Sequence, residues 1–240
     1  MGKIQAGTSA QCEGDASALA WLFKQVAWVV FLSDVAQAAN DTVDRVRQAR
    51  AMRAWEKRGR TGPPPHLAKQ RIVCAYARAF GLDTLIETGT YLGAMIKGTR
   101  HTFRTIISIE LDPHLYERAR RKLAEPGHIT MLNGDSAEVL PRVLRHLDVP
   151  CLFWLDAHHS GLLTARGRQD SPVLLELQAI LSHPVAGHVV LIDDAHEFVG
   201  EGGYPTLREL REMVAARRPD WAMVVDHDII RLHARRSTSG

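Results

Sequence analysis

Two apolar runs of this chain end in side chains that bind metals or move protons. The first, Leu152–Leu155, is followed by Asp156 and His158, and the second is followed by Asp193 and Asp194. Carboxylates and imidazoles in such places hold a divalent cation or transfer a proton, unless they are only the polar ends of strands. The elements that carry the two runs decide whether these side chains meet.

Segments with the pattern of strands and of helices alternate strictly after residue 65. Strands are predicted over residues 84–87, 105–110, 128–132, 151–156 and 188–194, with a terminal hairpin over 221–234. This order predicts an α/β fold with a doubly wound, mostly parallel sheet of seven strands that ends in an antiparallel hairpin. Ligands of such sheets bind beyond the carboxyl ends of the strands, where Asp156, Asp193 and Asp194 lie.

The sequence "RTGPPP" at residues 60–65 predicts a domain boundary, because proline fixes φ and removes a backbone donor. Residues 1–62 are predicted to form an N-terminal helical extension, with residues 1–12 disordered. Residues 63–234 form the main domain, and residues 235–240 form a tail.

The composition is that of an ordinary globular protein. Of 240 residues, 45% are hydrophobic and 24% charged, and a net charge of +3 does not indicate a dedicated nucleic-acid binder. The three cysteines form no Cys-x-x-Cys pair, which favours a reducing compartment. The apolar segment 16–32 is shorter than the roughly 20 residues of a membrane span. We therefore expect a cytoplasmic protein without a transmembrane span, in which this helix packs or forms a homo-oligomer.

A glycine-containing turn follows the first strand in the sequence "ETGTYLG". Gly89 permits a tight turn, and Gly93 lets the next helix pack closely. Glu110 ends the second strand, 21 positions after Gly89, where a carboxylate can accept the hydroxyls of an adenosine ribose. Tyr91 replaces the middle glycine that a dinucleotide pyrophosphate requires, so a nucleoside cofactor other than NAD is predicted.

The third strand ends in "NGDS", residues 133–136. Asp135 could receive the exocyclic amine of an adenine, and Ser136 could cap the next helix. A simple cap or turn is the alternative role for Asp135.

Together, "LIETGTYLG", "IISIELDP", "NGDS" and a strand ending in "LDA" resemble the successive motifs of class I S-adenosylmethionine-dependent methyltransferases. The bulky residue in the glycine turn is similar to the macrocin O-methyltransferase and cephalosporin hydroxylase-like branch. The resemblance implies a Rossmann-like fold, with Glu110 at the ribose. It implies that the cofactor is bordered by Glu87, Gly89, Tyr91, Gly93, Glu110, Asp135, Ser136 and Asp156.

Three carboxylates at adjacent strand ends, Asp156, Asp193 and Asp194, would repel one another without a cation. Their oxygens suit Mg²⁺ or another divalent cation. The resembling branch uses Asp residues at equivalent strand ends to bind Mg²⁺ and to deprotonate a hydroxyl. Asp156 is therefore predicted to be a metal ligand, a base or both, with His158 as a second catalytic candidate.

The neighbouring histidines, His158, His159 and His196, leave three roles open. They could supply a general base, shift the metal preference away from Mg²⁺, or simply face solvent in loops.

Methylation of a hydroxyl on a small molecule or glycan is the leading functional hypothesis. A metal-dependent hydrolase is one alternative, because "WLDAHHSG" and "IDDAH" resemble fragments of the ureohydrolase metal motif Asp-Ala-His-x-Asp. Ser160 stands where that motif has its second Asp. A non-catalytic module with a cofactor-binding fold is the other alternative.

Overall fold

The computed structural model describes residues 42–156 and 172–235. The chain divides into two compact units, Met1–Arg50 and Ala51–Gly240. Residues 42–50, the described part of the first unit, are helical, and the second unit begins with helical residues 51–57 (α1). The second unit thus includes residues that the sequence assigned to the N-terminal extension. The boundary at residue 62 stays a prediction, and the predicted disorder of residues 1–12 lies outside the described residues.

Seven strands of the second unit form one sheet. They are β1 (Thr84–Thr88), β2 (Thr105–Glu110), β3 (Ile129–Asn133), β4 (Leu152–Leu155), β5 (Val189–Ile192), β6 (Trp221–Asp226) and β7 (Ile229–Ala234). Their order in the sheet is β3-β2-β1-β4-β5-β7-β6. Strands β1 to β5 are mutually parallel, and β7 runs antiparallel to both β5 and β6. The predicted mostly parallel sheet with a terminal hairpin is confirmed.

Helices connect the strands and cover both faces of the sheet. They are α2 (His66–Phe80), α3 (Ala94–Thr99), α4 (Pro113–Leu123), α5 (Ser136–Leu144), α6 (Val173–Ser182) and α7 (Leu207–Arg217), with a short 3-10 helix at Ala195–Glu197. Local chemistry sets several ends: Asp112 caps α4 by accepting from two backbone N–H groups, and Thr206 forms a capping box with Glu209 at α7. Across the described ranges, no helix is both long and apolar enough to cross a membrane.

Two hydrophobic clusters lie on opposite faces of the sheet. Alternate residues of β4 point to opposite sides, as the pleat requires. Phe153 and Leu155 belong to one cluster, whereas Leu152 and Trp154 belong to the other. All four are at most 2% exposed, so β4 is the buried centre of the domain and holds Asp156 on a rigid support.

The terminal hairpin turns through His227 and Asp228. Both residues have positive φ, 51° and 60°, as a two-residue type I′ turn requires. The turn follows β6 at the edge of the sheet where β4 and β5 end. It thereby brings Asp228 to the loop after β5, where its carboxylate bonds to His196.

A pair of buried histidines ties the amino edge of the sheet to its helices. His188 Nδ1 accepts a hydrogen bond from the Cys151 backbone N–H at 3.0 Å. His188 Nε2 therefore carries the proton and donates it to His183 Nδ1 at 2.9 Å, and His183 Nε2 donates to the Leu144 carbonyl oxygen. Burial lowers the pKa of His188 to about 4, and the positive charge of Arg218 adds to the effect.

The native state therefore binds a proton at His188 less readily than the unfolded chain, whose ordinary pKa is 6.5. The stability that this provides is complete above pH 6.5 and is lost as the pH falls towards 4. We expect His188→Asn, whose Oδ1 can still accept from the Cys151 N–H, to flatten this loss while lowering stability at pH 7.5. Urea unfolding at several pH values measures it. The exposed His101→Asn is the control, and an unchanged pH dependence in His188→Asn would contradict the prediction.

Candidate active site

Backbone hydrogen bonds continue beyond the strand ends and hold the predicted site residues side by side. The Asp156 N–H donates to the Thr88 carbonyl oxygen at 3.0 Å, and the Asp193 N–H donates to the Leu155 carbonyl oxygen at 3.1 Å. The Gly89 N–H likewise donates to the Ile109 carbonyl oxygen, one residue before the end of β2, at 2.9 Å. The structure thus brings the acidic ends of β1, β2, β4 and β5 to one edge, as the sequence predicted.

The glycine turn after β1 is built from left-handed residues. Gly89, Tyr91 and Gly93 have φ values of 83°, 49° and 71°. Tyr91 is an unusual occupant of this region, because a side chain there costs energy that glycine avoids. Its N–H donates to Glu110 Oε2 at 2.7 Å, so the end of β2 holds the tip of the turn.

Gly93 is required by close packing as well as by its φ. A Cβ added to it would lie 2.1 Å from Leu123 Cδ1. Gly127 also has a positive φ, 76°, but a Cβ there would meet nothing within 4 Å. Alanine substitutions at these two positions can therefore distinguish the cost of backbone strain from the cost of steric overlap.

We expect Gly93→Ala to lower the free energy of unfolding by about 2–4 kcal/mol, from left-handed strain plus overpacking. Gly127→Ala carries the strain alone and should cost about 1–2 kcal/mol. Urea unfolding of both variants measures the difference. Equal losses would show that Leu123 moves aside and that Gly93 is needed only for its φ.

The buried Glu110 carboxylate holds two backbone groups. Its Oε2 accepts from the Tyr91 N–H and its Oε1 accepts from the Asp112 N–H at 2.9 Å. Each carboxylate oxygen can accept a further hydrogen bond. Glu110 therefore combines a structural role at the turn with the capacity to accept ribose hydroxyls.

Glu87 is buried within β1 and lies at the end of a short chain of side-chain hydrogen bonds. The Ser108 hydroxyl donates to Glu87 Oε2, and the Thr90 and Ser108 hydroxyl oxygens are 2.6 Å apart. Burial raises the pKa of Glu87 to about 8, and the negative charges of Asp156 and Glu110 add to this, although the Ser108 hydrogen bond opposes it. A nearby positive charge on a ligand would favour the ionised form.

At the end of β3, the helix cap differs from the prediction. Asp135, not Ser136, is the N-cap of α5, since its Oδ1 accepts from the Ala137 N–H at 3.0 Å. Ser136 is the first helical residue, and its hydroxyl acts to lower the pKa of Glu176 on α6. The Ser136 cap was therefore wrong, and the alternative role of Asp135 as a cap is confirmed. Aspartate and serine are both good caps and stand next to each other, so the local sequence cannot choose between them.

Glu176 is a buried acid that the sequence analysis missed. It is 0% exposed, and the Thr88 hydroxyl donates to its Oε2 at 3.4 Å. Its Oε1 has no hydrogen-bond partner among the described residues. Burial raises the pKa of Glu176 to about 7 against the hydrogen bonds from Ser136 and Thr88. Glu176 lies one helical turn after Val173 and one turn before Ile180, and both of these residues are buried. A charged residue on the apolar stripe of a helix is the sequence signal that could have identified Glu176 as a buried acid.

The three predicted aspartates do converge. Asp156, Asp193 and Asp194 each place one carboxylate oxygen within 4.8 Å of the others. We refer to these three residues as the acidic cluster. Asp194 adopts a left-handed conformation, φ 52°, which aspartate tolerates better than most residues and which turns the chain directly after β5. Asp193 is 5% exposed, and its Oδ1 has no partner among the described residues.

Helix α2 supplies a cation to the acidic cluster that sequence reasoning missed. The Lys69 ammonium forms an ion pair with Asp193 Oδ2 and lies 3.6 Å from Asp194 Oδ1. Burial acts to lower the pKa of Lys69, but attraction to Asp193, Asp194 and Asp156 raises it above its ordinary value. Burial and the charge of Asp156 raise the pKa of Asp193, even though Lys69 opposes this. Lys69 thus stays charged within the acidic cluster.

The same helix carries His66 to the rim of the acidic cluster, one turn before Lys69. Partial burial and the charge of Lys69 lower the pKa of His66, although Asp156 and Asp194 act in the opposite direction. The residue itself is exposed to solvent. The candidate histidines His158 and His159 lie outside the described residues.

His196 is exposed and forms a pair with Asp228, which the sequence analysis did not single out. Its Nδ1 is 2.8 Å from Asp228 Oδ2, and its backbone N–H donates to Asp228 Oδ1 at 2.9 Å. Slight burial acts to lower the pKa of His196, but the hydrogen bond and charge of Asp228 raise it. With Asp194 these side chains form a second group whose ligand atoms lie within 4.8 Å of one another.

Comparison with known proteins identifies the fold. No protein-family model and no curated protein sequence matches the chain. Among solved structures, an O-methyltransferase from Bacillus cereus in complex with SAH is similar, with 14% identity, a TM-score of 0.53, and coverage of 70% of this chain and 81% of that one. TomG from Streptomyces achromogenes, an O-methyltransferase of tomaymycin synthesis in complex with SAM, has 20% identity, a TM-score of 0.51, and coverage of 77% and 87%. Together with the strand order, these similarities show that the chain has the Rossmann-like fold of class I methyltransferases.

Proposed function

We propose that the chain is an S-adenosylmethionine-dependent methyltransferase acting on a hydroxyl group of a small molecule or sugar. The observation that carries this proposal is the position of Asp156. Its backbone N–H bonds to the Thr88 carbonyl oxygen directly before the glycine turn, and its carboxylate lies within 4.8 Å of those of Asp193 and Asp194. A cofactor held at the turn and an acceptor held at the acidic cluster would therefore meet at Asp156.

The residues at the glycine turn fit the cofactor by their chemistry. When bound, S-adenosylmethionine supplies an electrophilic methyl group and leaves as S-adenosylhomocysteine. Glu110 offers buried carboxylate oxygens to the ribose hydroxyls, and the buried Glu87 offers a carboxylate to the methionine ammonium. Gly89 leaves the backbone bare for close approach, and Asp135 with Ser136 borders the adenine.

Asp156 is the proposed general base. It accepts the proton of the acceptor hydroxyl as the hydroxyl oxygen bonds to the methyl carbon, and the electron pair of the broken carbon–sulfur bond stays on sulfur. The imidazole of His66 is a second proton acceptor at the same rim. A catalytic role for His158 stays a prediction.

A divalent cation such as Mg²⁺ at Asp156, Asp193 and Asp194 is the finer proposal made from the sequence. The carboxylate oxygens and the unpartnered Asp193 Oδ1 suit such an ion, which would lower the pKa of a bound hydroxyl. However, the Lys69 ammonium already pairs with two of the three carboxylates. The donor set does not fit a divalent cation while Lys69 remains there, so no step is assigned to a metal.

Calorimetric titration with S-adenosylmethionine tests the proposed function. We expect saturable one-to-one binding, with competition by S-adenosylhomocysteine, followed by transfer of a labelled methyl group to members of a hydroxyl-acceptor panel. Absence of binding at millimolar cofactor would overturn the proposal. Binding without transfer to any acceptor would favour the non-catalytic module instead.

The hydrolase alternative accounts for the acidic cluster but gives no role to the bond between Tyr91 and Glu110 or to the glycine turn. Manganese-dependent hydrolysis of an amidine would be needed to support it. Two further expectations stay predictions: a cytoplasmic location and self-association through the N-terminal helices. Residues 16–41 of that N-terminal segment lie outside the described ranges.

A further inference from the structure

Among the described residues, only Lys69 forms a hydrogen bond or an ion pair with the buried Asp193 carboxylate. Its side chain is 11% exposed, and that of Asp193 is 2% exposed. The ammonium contacts Asp193 Oδ2, lies 3.6 Å from Asp194 Oδ1, and is attracted by Asp156 as well. Lys69 thus faces all three members of the acidic cluster.

The position of Lys69 is fixed by the packing of α2. The neighbouring Gln70 donates from Nε2 to the Ala94 carbonyl oxygen at 2.8 Å, which joins α2 to α3. Val73 and Ala77, four and eight positions after Lys69, are buried against the sheet. Lys69 therefore extends from the buried stripe of the helix and has little freedom to leave the cluster.

A buried ammonium is costly unless carboxylates surround it, and a buried group of carboxylates is equally costly without a cation. Here the ammonium pairs with one oxygen of Asp193 and one of Asp194, while Asp193 Oδ1 has no partner among the described residues. A divalent cation added to the same oxygens would be repelled by the ammonium about 4 Å away. Among the described residues, Lys69 is the cation that pairs with both Asp193 and Asp194, whereas His196 pairs with Asp228.

We propose that Lys69 is the resident cation of the acidic cluster and takes the place of a divalent metal, so that methyl transfer by this chain proceeds without one. This inference rests on the proposed function. In it, Lys69 is a positioning residue that keeps the Asp193 and Asp194 carboxylates together beside Asp156. It also follows that removing the ammonium should create a divalent-cation site from the same oxygens.

Titration with Mn²⁺, followed by electron paramagnetic resonance and calorimetry, tests the proposal on the full chain. We expect the wild type to bind Mn²⁺ too weakly to saturate at millimolar concentration. Lys69→Met keeps the length of the side chain without its charge and should bind Mn²⁺ roughly 30-fold more tightly or better. Lys69→Arg should behave as the wild type, and the exposed Lys122→Met is the matched control. Adding Asp193→Asn to Lys69→Met should abolish the gain, because Asp193 belongs to the acidic cluster and not to the group of Asp194, His196 and Asp228.

The wild-type titration decides the question even if Lys69→Met folds poorly. Micromolar Mn²⁺ binding to the wild type that Asp193→Asn removes would overturn the proposal. A well-folded Lys69→Met protein with no gain in affinity would overturn it as well. The two proposals also fail separately. If methyl transfer requires Mn²⁺ or Mg²⁺, the proposed role of Lys69 is refuted but the proposed methyltransferase activity stands. If the Mn²⁺ results are as expected but S-adenosylmethionine does not bind, the role of Lys69 as the resident cation stands and the proposed methyltransferase activity is refuted.

Discussion

Asp156→Asn is expected to lower kcat for methyl transfer by about 10²- to 10⁴-fold, the usual loss when a general base is removed. Asparagine keeps the shape of the side chain but cannot take the proton of the acceptor hydroxyl. The backbone at this position is held by the hydrogen bond to the Thr88 carbonyl oxygen, which the substitution leaves in place. The loss should therefore fall on kcat far more than on the Kd of S-adenosylmethionine.

The control for this variant is Asp148→Asn. Asp148 is exposed and precedes the amino end of the same strand, β4. Its substitution therefore changes the net charge by the same amount as Asp156→Asn, but at the opposite edge of the sheet. Its kcat should match that of the wild type. A well-folded Asp156→Asn enzyme with full kcat would remove Asp156 from the chemistry and leave His66 or His158 as the proton acceptor.

Glu110→Gln is expected to raise the Kd of S-adenosylmethionine by roughly 30- to 140-fold, which corresponds to about 2–3 kcal/mol of lost charge-assisted hydrogen bonding. The substitution also disturbs the turn. Glu110 accepts from both the Tyr91 and Asp112 N–H groups, and a glutamine must direct its NH₂ group at one of them. Calorimetric titration gives the Kd, and circular dichroism checks that the fold is kept.

Glu117→Gln provides the comparison for Glu110→Gln. Glu117 lies on α4, the helix after β2; its side chain is 40% exposed and pairs with Arg120 at 3.0 Å. Its loss should leave the Kd unchanged, because surface ion pairs contribute little. Unaltered cofactor affinity in Glu110→Gln would limit Glu110 to its contacts with the backbone.

The sheet and the edge at which it binds ligands could be predicted from the sequence because both follow from local periodicity. Each strand is a short apolar run, and the polar residue after it must lie at the edge. That reasoning located Glu87, Glu110, Asp156 and the Asp193–Asp194 pair, all of which the structure brings to one edge. It did not extend to side chains within helices, and so it missed Glu176.

The charge balance of the acidic cluster shows most clearly what the sequence alone could not decide. Strand order was enough to predict that Asp156, Asp193 and Asp194 converge and need a cation, and a metal was the natural inference. Only the packing of α2 against the sheet reveals Lys69, which lies 124 positions from Asp193 and forms an ion pair with it. Local sequence determines which residues end each strand, but long-range packing determines which charges meet, because electrostatic partners are chosen by distance in space and not by distance along the chain.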